Sequence, residues 1–428
     1  MTKTYVPGGV FAIDYGTSNS LMSYVSSEGL SPPLPLDERA SDPTVFRSLL
    51  YFPHQDACYY GQKAIEEYNS NFGEGRFIRS VKKYLPSTSF VGSYIENRVV
   101  RLEDLIGYFL LEMRRRATAL LGFEVDRVIL GRPAKYSFDP ERDKMAEYRM
   151  KKAAEIAGFK EVEFLPEPLA AAFDLRSRLT KEKIVLVVDL GGGTSDFTII
   201  KIGQHPYSEN DLLGLGGISL AGDAFDGEIM KHEVDSYFGS EVKYRVPLGR
   251  NIQQMPPILL DNLCSAPDIV QLQKKDVYQF FKRVKNWTLK EEDKQKLHRL
   301  EILVDDQLGF AIYEVIDQCK RQYSQRPIVN FEFDYPKIEI SKQMQSTQFE
   351  SFAEPLADDI LNCMGEVVLQ AGLTTDQIEM VYCTSGTSKL ALVQEKLKSI
   401  FGDNKLQNSD HFHSVSKGLA LRAQELFF

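Results

Sequence analysis

Residues 184–200 read IVLVVDLGGGTSDFTII. An apolar, β-branched run meets Asp189, then Gly191, Gly192 and Gly193, then Thr194, Ser195 and Asp196. Such a run is a strand signal. The segment after the glycines decides the architecture. DFTIIKI (196–202) reads as a second strand, so the glycines close a hairpin. A P-loop needs Gly-Lys followed by Ser or Thr, and a dinucleotide fingerprint needs G-x-G-x-x-G opening a helix; neither pattern is present. Glycine in the turn permits positive φ and close approach of the backbone to a ligand. Successive backbone N–H groups there form an anion-binding concavity. Alone, the stretch is compatible with an ordinary hairpin turn and with a phosphate loop.

A second copy separates these readings. FAIDYGTSNS (11–20) places Asp14 after an apolar strand and before Gly16, Thr17 and Ser18, as VLVVDLGGGTSD places Asp189. Two similar halves, each contributing one strand–turn–strand loop, form a cleft between duplicated domains. An aspartate repels bare phosphate, but Mg2+ is held by one or two carboxylates together with waters and phosphate oxygens. Thr17, Ser18, Thr194 and Ser195 add hydroxyl donors.

The 428 residues suggest two or three domains, and a composition that is 43% hydrophobic and 26% charged supports a sizeable core. A net charge of −9 argues against a general affinity for nucleic acid or anionic membranes, and is no obstacle to ATP. Cys58, Cys264, Cys319, Cys363 and Cys383 are scattered and never in C-x-x-C spacing, so reduced core cysteines are expected, not a disulfide framework or zinc site. With no leader-type apolar segment before the first strand pattern, a cytoplasmic location is expected. No apolar run reaches the roughly 18 residues of a membrane helix.

Strand patterns at 9–14, 126–131, 183–190, 196–202, 336–340 and 380–385 alternate with helical patterns at 102–122 and 143–159, which reads as α/β. Residues 268–304 are charge-rich, with Val277, Phe280, Phe281 and Val284 at helical spacing, as in a helical subdomain inserted into a sheet domain. In YEVIDQCKRQYSQ, residues Asp317, Lys320, Arg321 and Ser324 share one helix face, while Ile312, Ile316, Cys319 and Tyr323 share another. By itself this is a plain amphipathic surface helix.

IDYGTSNS (13–20) and VVDLGGGTSDF (187–197) resemble the two phosphate motifs of the actin-fold ATPases, and most closely those of the nucleotide-binding domain of DnaK-type heat-shock chaperones. Among these the chain is similar to truncated, YegD-type relatives. LPEPLAAAF (165–173) resembles the family's connecting segment, GISLAGDAFDGEI (217–229) the segment before its inserted subdomain, VYCTSGTSKL (381–390) its adenosine motif, and SVSKGLALRA (414–423) its closing helix.

The resemblance implies an actin-like fold of two lobes. Lobe I spans 1–185 and is closed by a helix at 410–428; lobe II spans 186–409, with an inserted subdomain at about 229–304. It further implies Asp14, Asp189 and Glu167 facing Mg2+, mostly through water. Gly16, Thr17, Ser18, Asn19, Gly191, Gly192, Gly193 and Thr194 are then around the phosphates. Lys82 reaches the γ-phosphate and the attacking water, Thr194 joins the catalytic set, and Asp196 stands behind it. Asp317, Lys320, Arg321, Ser324, Ser385, Gly386, Thr387 and Lys389 are on the adenosine, Arg321 stacking on adenine as a guanidinium can. On its own, Lys82 beside Lys83 reads as a solvated charge. ATP or ADP, Mg2+ and K+ are the implied ligands.

Three positions depart from the family pattern. Ser385-Gly386 stands for two adjacent glycines, Ala221-Gly222 for another pair, and Asp410 lies early for the closing-helix aspartate. The resemblance reaches its closing helix just before Phe428, so no intrinsic peptide-binding domain is expected. The expected function is a slow ATPase acting as a conformational switch on an unknown protein partner. A small-molecule kinase, a filament-forming actin-like protein and a non-hydrolysing nucleotide sensor are the alternatives.

Overall fold

The computed structural model describes residues 5–71, 75–79, 81–137, 139–176, 178–205, 207–408 and 413–428. In the first half, β1 (Val10–Tyr15), β2 (Asn19–Ser26) and β3 (Gly29–Leu30) are followed by α1 (Leu102–Leu121), β4 (Arg127–Arg132), α2 (Pro140–Ile156), β5 (Glu161–Pro166) and α3 (Glu167–Arg176). In the second, β6 (Lys183–Leu190), β7 (Ser195–Ile202) and β8 (Leu212–Ile218) are followed by α4 (Gly222–Ile229), α5 (Gly309–Tyr323), α6 (Ser346–Gln370), β9 (Met380–Thr384), α7 (Ala391–Phe401), β10 (Leu406–Asn408) and α8 (His413–Phe427).

The halves repeat one topology. The first sheet runs β5-β4-β1-β2-β3 and the second β10-β9-β6-β7-β8. In each, the opening strand pairs in antiparallel with its hairpin partner and in parallel with a strand reached through a helix. The apolar run of β6 fits its place: Val185 to Leu190 are all buried, as a strand covered on both faces requires. Asp14 and Asp189 sit at the same place in the repeat, one residue from the end of β1 and of β6. These ends lie at the carboxyl side of the parallel strands, where open α/β sheets bind ligands.

Each half ends on a helix, α3 or α8, and these two cross. Val10, Ala12 and Ile129 of the first sheet, Val185, Val187 and Tyr382 of the second, and Ala170, Leu419 and Ala420 of the helices form one shared buried cluster. Helix-on-helix approach is closest at Gly418, where a Cβ would lie 1.6 Å from the Ala170 carbonyl oxygen.

Both lobes carry insertions. Between α4 and α5 stand a small ribbon (Lys243–Tyr244 with Gln253–Gln254) and helices Pro257–Leu263, Lys275–Trp287 and Glu291–Asp305. Phe281 and Val284 are buried there, with Val277 and Phe280 packed against the same core. Between β3 and α1 stands a sheet of Leu49–His54, Ala57–Tyr60 and Arg76–Arg79, which the sequence patterns did not indicate. The expected strand at 336–340 is shifted. Pro336 and Lys337 form the turn of a hairpin between Ile328–Tyr335 and Ile338–Gln345, with Lys337 at φ 70°. The described cysteines are all free, and among the described residues no helix is long and apolar enough to cross a membrane.

Candidate nucleotide site

The two glycine loops are hairpin ends that face each other. At the first, the Gly16 N–H donates to the Asn19 carbonyl at 3.1 Å, and a Cβ on Gly16 would lie 2.2 Å from that oxygen. At the second, the Gly191 N–H donates to the Thr194 carbonyl at 2.9 Å. A Cβ on Gly192 would stand 3.2 Å from Ser18 Oγ, and one on Gly193 3.4 Å from Thr17 Oγ1, so glycine keeps the loops close without closing the space between them. The Gly191 carbonyl accepts from the Gly222 N–H (3.1 Å) and Thr387 Oγ1 (2.9 Å), and the Gly192 carbonyl from the Asp223 N–H (2.7 Å). In trans peptides this turns the N–H groups of Gly192 and Gly193 the opposite way, away from α4.

At the base of the loops lies a buried charged cluster. Lys82, in the turn Val81–Tyr84, is only 8% exposed, so the reading of a solvated lysine does not hold. Its Nζ stands 2.5 Å from Oε1 of Glu167, the first residue of α3, and 6.0 Å from the Tyr15 ring centre. Burial would lower the Lys82 pKa, but Glu167, Asp14 and Asp196 more than offset this and hold it raised. Burial, then the Glu167 charge, then Asp189 push Asp14 well above the usual carboxylate range, against Lys82. Burial and Glu167 also raise Asp189, opposed by the hydrogen bond from Ser385. Asp196 is buried behind the loop with Oδ1 accepting from the Ala134 N–H at 2.8 Å; burial and Glu167 push it up to about 8.

The far end of the cleft is built from α5 and the turn 385–389. On α5, Ile312, Ile316, Cys319 and Tyr323 are buried as their spacing indicates. On the other face, Lys320 Nζ pairs with Asp226 Oδ1 (2.7 Å) and Asp317 Oδ1 (3.1 Å) and donates to the Gly222 carbonyl (3.1 Å). Lys320 thus bolts α5 to α4. Arg321 is two-thirds exposed and pairs with Asp317. Ser324 Oγ donates to the Lys389 carbonyl at 3.3 Å.

One cleft of about 400 Å³ is lined by all the residues expected around phosphate, cation and adenosine except Gly193. Arg47, Arg79, Asp223, Asp226 and Glu314 line it as well. Asp223 and Asp226 had a sequence signal, in GISLAGDAFDGEI. The others are lone charges brought together by the fold; Arg47 Nη1 meets Glu314 Oε2 at 2.9 Å across the two lobes. Asp410 lies outside the described residues.

The site fits a cation bound with an anion. Asp14, Glu167, Asp189 and Asp196 face a single lysine, and Asp223 Oδ2 is buried without a hydrogen-bond partner. A Cβ on Gly191 would meet nothing closer than 3.5 Å, which leaves room beside the loop. Among the described residues no three acidic, histidine or cysteine side chains converge to ligate an ion on their own.

A family model described as "Hsp70 protein" matches residues 81–254 and 278–426. The chain is 26% identical over 424 residues to a chaperone protein DnaK of Thermosipho melanesiensis, covering 98% of this chain and 59% of that one. It is 25% identical over 437 residues to a chaperone protein HscA homolog of Tolumonas auensis, covering 97% of this chain and 57% of that one. The chain therefore spans somewhat over half the length of these curated relatives. With the family model matching most of its length on a two-lobed fold of mixed sheets, the chain belongs to the Hsp70 family.

Proposed function

We propose that the chain is a Mg2+-dependent ATP-binding protein that hydrolyses ATP slowly and acts as a chaperone-like conformational switch. One observation supports this most. Two matching hairpin loops face each other over a buried Lys82–Glu167 pair, in a cleft whose other end is formed by α5 and the turn 385–389. Phosphoryl transfer needs positioning and charge neutralisation more than covalent chemistry. Bound Mg2+ supplies neutralisation of the phosphate oxygens.

The protein's own groups have distinct parts in this reading. Asp14, Asp189 and Glu167 hold the ion, largely through water, as hydrated Mg2+ prefers. The N–H groups of 192–194, with the Thr17, Ser18 and Thr194 hydroxyls, hold phosphate, Gly191 closes their turn, and Gly16 and Asn19 shape the facing turn. Lys82, oriented by Glu167, directs charge at the γ-phosphate and the attacking water. Asp317, Arg321, Ser324, Gly386, Thr387 and Lys389 surround the nucleoside, with Lys320 holding their helix against α4. K+ beside the phosphates, an unidentified protein partner and a cytoplasmic location belong to the same proposal.

ATP turnover by the wild type, Lys82→Ala and Asp189→Asn tests it. Both variants are expected to lose at least about tenfold in rate, since each removes a charge aimed at the transition state. Equal rates in all three overturn the catalytic assignment.

A further inference from the structure

Ser385 has φ 67°, in the left-handed region that a residue carrying Cβ enters at a cost. Such strain persists where surrounding interactions over-determine it. Here they do. Thr384, just before it, is in register with Asp189 across β9 and β6. Ser385 Oγ donates to Asp189 Oδ1 at 2.5 Å, and the Ser385 carbonyl accepts from Ser388 Oγ at 2.9 Å. Two residues on, Thr387 Oγ1 ties the same turn to the Gly191 carbonyl. The turn at the nucleoside end of the cleft is therefore fastened at two points to the loop that carries Asp189.

We propose that Ser385 is a positioning residue whose hydroxyl couples nucleoside occupancy of the turn 385–389 to the orientation of the Asp189 carboxylate, and so to divalent-cation binding. The inference rests on the Mg2+–nucleotide reading of the cleft. Glycine would take this backbone conformation without strain but would carry no hydroxyl, so the serine adds a link that the conformation alone does not need. Coupling is reciprocal: a cation that draws on a fixed Asp189 strengthens nucleotide binding by the factor by which nucleotide strengthens cation binding.

The test is calorimetric titration of ADP in Mg2+ and in EDTA, for wild type, Ser385→Gly, Ser385→Ala and Ser385→Asn. The readout is the ratio of the EDTA to the Mg2+ dissociation constant, beside the melting temperature of the free protein. Gly and Ala both lack the hydroxyl, but only Ala keeps a Cβ in the left-handed region, so Ala melts below Gly. Asn tolerates that region and retains a donor. The ratio is expected to fall about tenfold in both Gly and Ala despite their different melting temperatures, and to recover in Asn. A Gly ratio equal to wild type overturns the proposal. So does a loss confined to Ala, which would trace the effect to backbone strain. A wild-type ratio of one overturns the Mg2+–nucleotide reading and the proposal with it; the other two results overturn the proposal alone.

Discussion

Lys82 and Lys83 are adjacent lysines with opposite surroundings. Lys82 points inward to Glu167, while the Lys83 side chain is 41% exposed and pairs with Asp268 of the other lobe. Nothing in Lys-Lys distinguishes them; their environments come from residues 85 and 185 positions away. Carboxylates show the same limit. Asp196 reads as the first residue of the strand pattern 196–202, yet it is buried and its pKa is pushed up to about 8. An isolated aspartate in an unfolded chain ionises near 3.9. Between about pH 4 and pH 8 the folded state therefore binds the proton that the unfolded state has lost, and stability falls as pH rises, levelling above the folded pKa. One such group contributes a slope of at most about 1.4 kcal/mol per pH unit. Melting temperatures from pH 5 to 9 in EDTA are expected to fall less steeply for Asp196→Asn than for wild type. Parallel curves would remove Asp196 as a source of the slope.

Single elements were legible where their periodicity was local. The hairpins at Asp14 and Asp189 announced themselves, because strand, turn and strand are contiguous. From them the duplicated topology followed, and the two sheets repeat one strand order. The insertion before α1 did not, since its strands of four to six residues carry no sustained alternation. Nor did the α3–α8 crossing, which depends on one missing side chain. In sequence, Gly418 inside SVSKGLALRA is merely a weak helix former. In the fold it lets α8 touch the Ala170 carbonyl. Gly418→Ala is therefore expected to destabilise the protein by about 3 kcal/mol, since neither backbone yields without parting both lobes from their shared core. Gly365, within α6, has open space where its Cβ would be. Gly365→Ala is expected to stabilise by about 0.5–1 kcal/mol. Denaturant unfolding of the pair reads out the opposite signs, and a Gly418→Ala variant as stable as wild type would contradict the crossing argument.

Across the whole molecule, the lobes are joined at the crossing helices and again at the tips of their insertions, with the cleft between. At the tips, Asp268 of lobe II accepts from Lys83 Nζ at 3.1 Å and from the Tyr84 hydroxyl at 3.1 Å, and Ser265 Oγ holds the same carboxylate at 2.6 Å. Those bonds, offsetting the burial that would raise it, hold the Asp268 carboxyl below its ordinary pKa, so it is ionised at neutral pH. Gln307 Nε2 donates to the Gly75 carbonyl at 3.0 Å, and Phe77 packs on Phe310 at 4.7 Å between ring centres. On the proposed nucleotide reading, these ties bridge the lobes beside the cleft, and release of bound ligand is expected to require that they part. The crossing helices are expected to stay together during such an opening, because their core is apolar and continuous, whereas the tips are tied by a few hydrogen bonds and one ring contact. Asp268→Ala removes the acceptor that Lys83 and Tyr84 share without touching the phosphate loops or the nucleoside turn. Charged hydrogen bonds of this kind contribute about 1.5–3 kcal/mol when intact, discounted here because the Lys83 partner is half in solvent. Release of a fluorescent ADP analogue, followed by stopped-flow displacement, is expected to accelerate roughly five- to tenfold in Asp268→Ala, with the melting temperature of the free protein little changed. Arg47→Ala, which breaks the tie to Glu314 at the cleft mouth, is expected to accelerate release independently. In the double variant the two factors multiply, because the sites share no partner. Unchanged release in both single variants would mean that the insertion tips carry no part of the closure, leaving the crossing helices to set the opening alone.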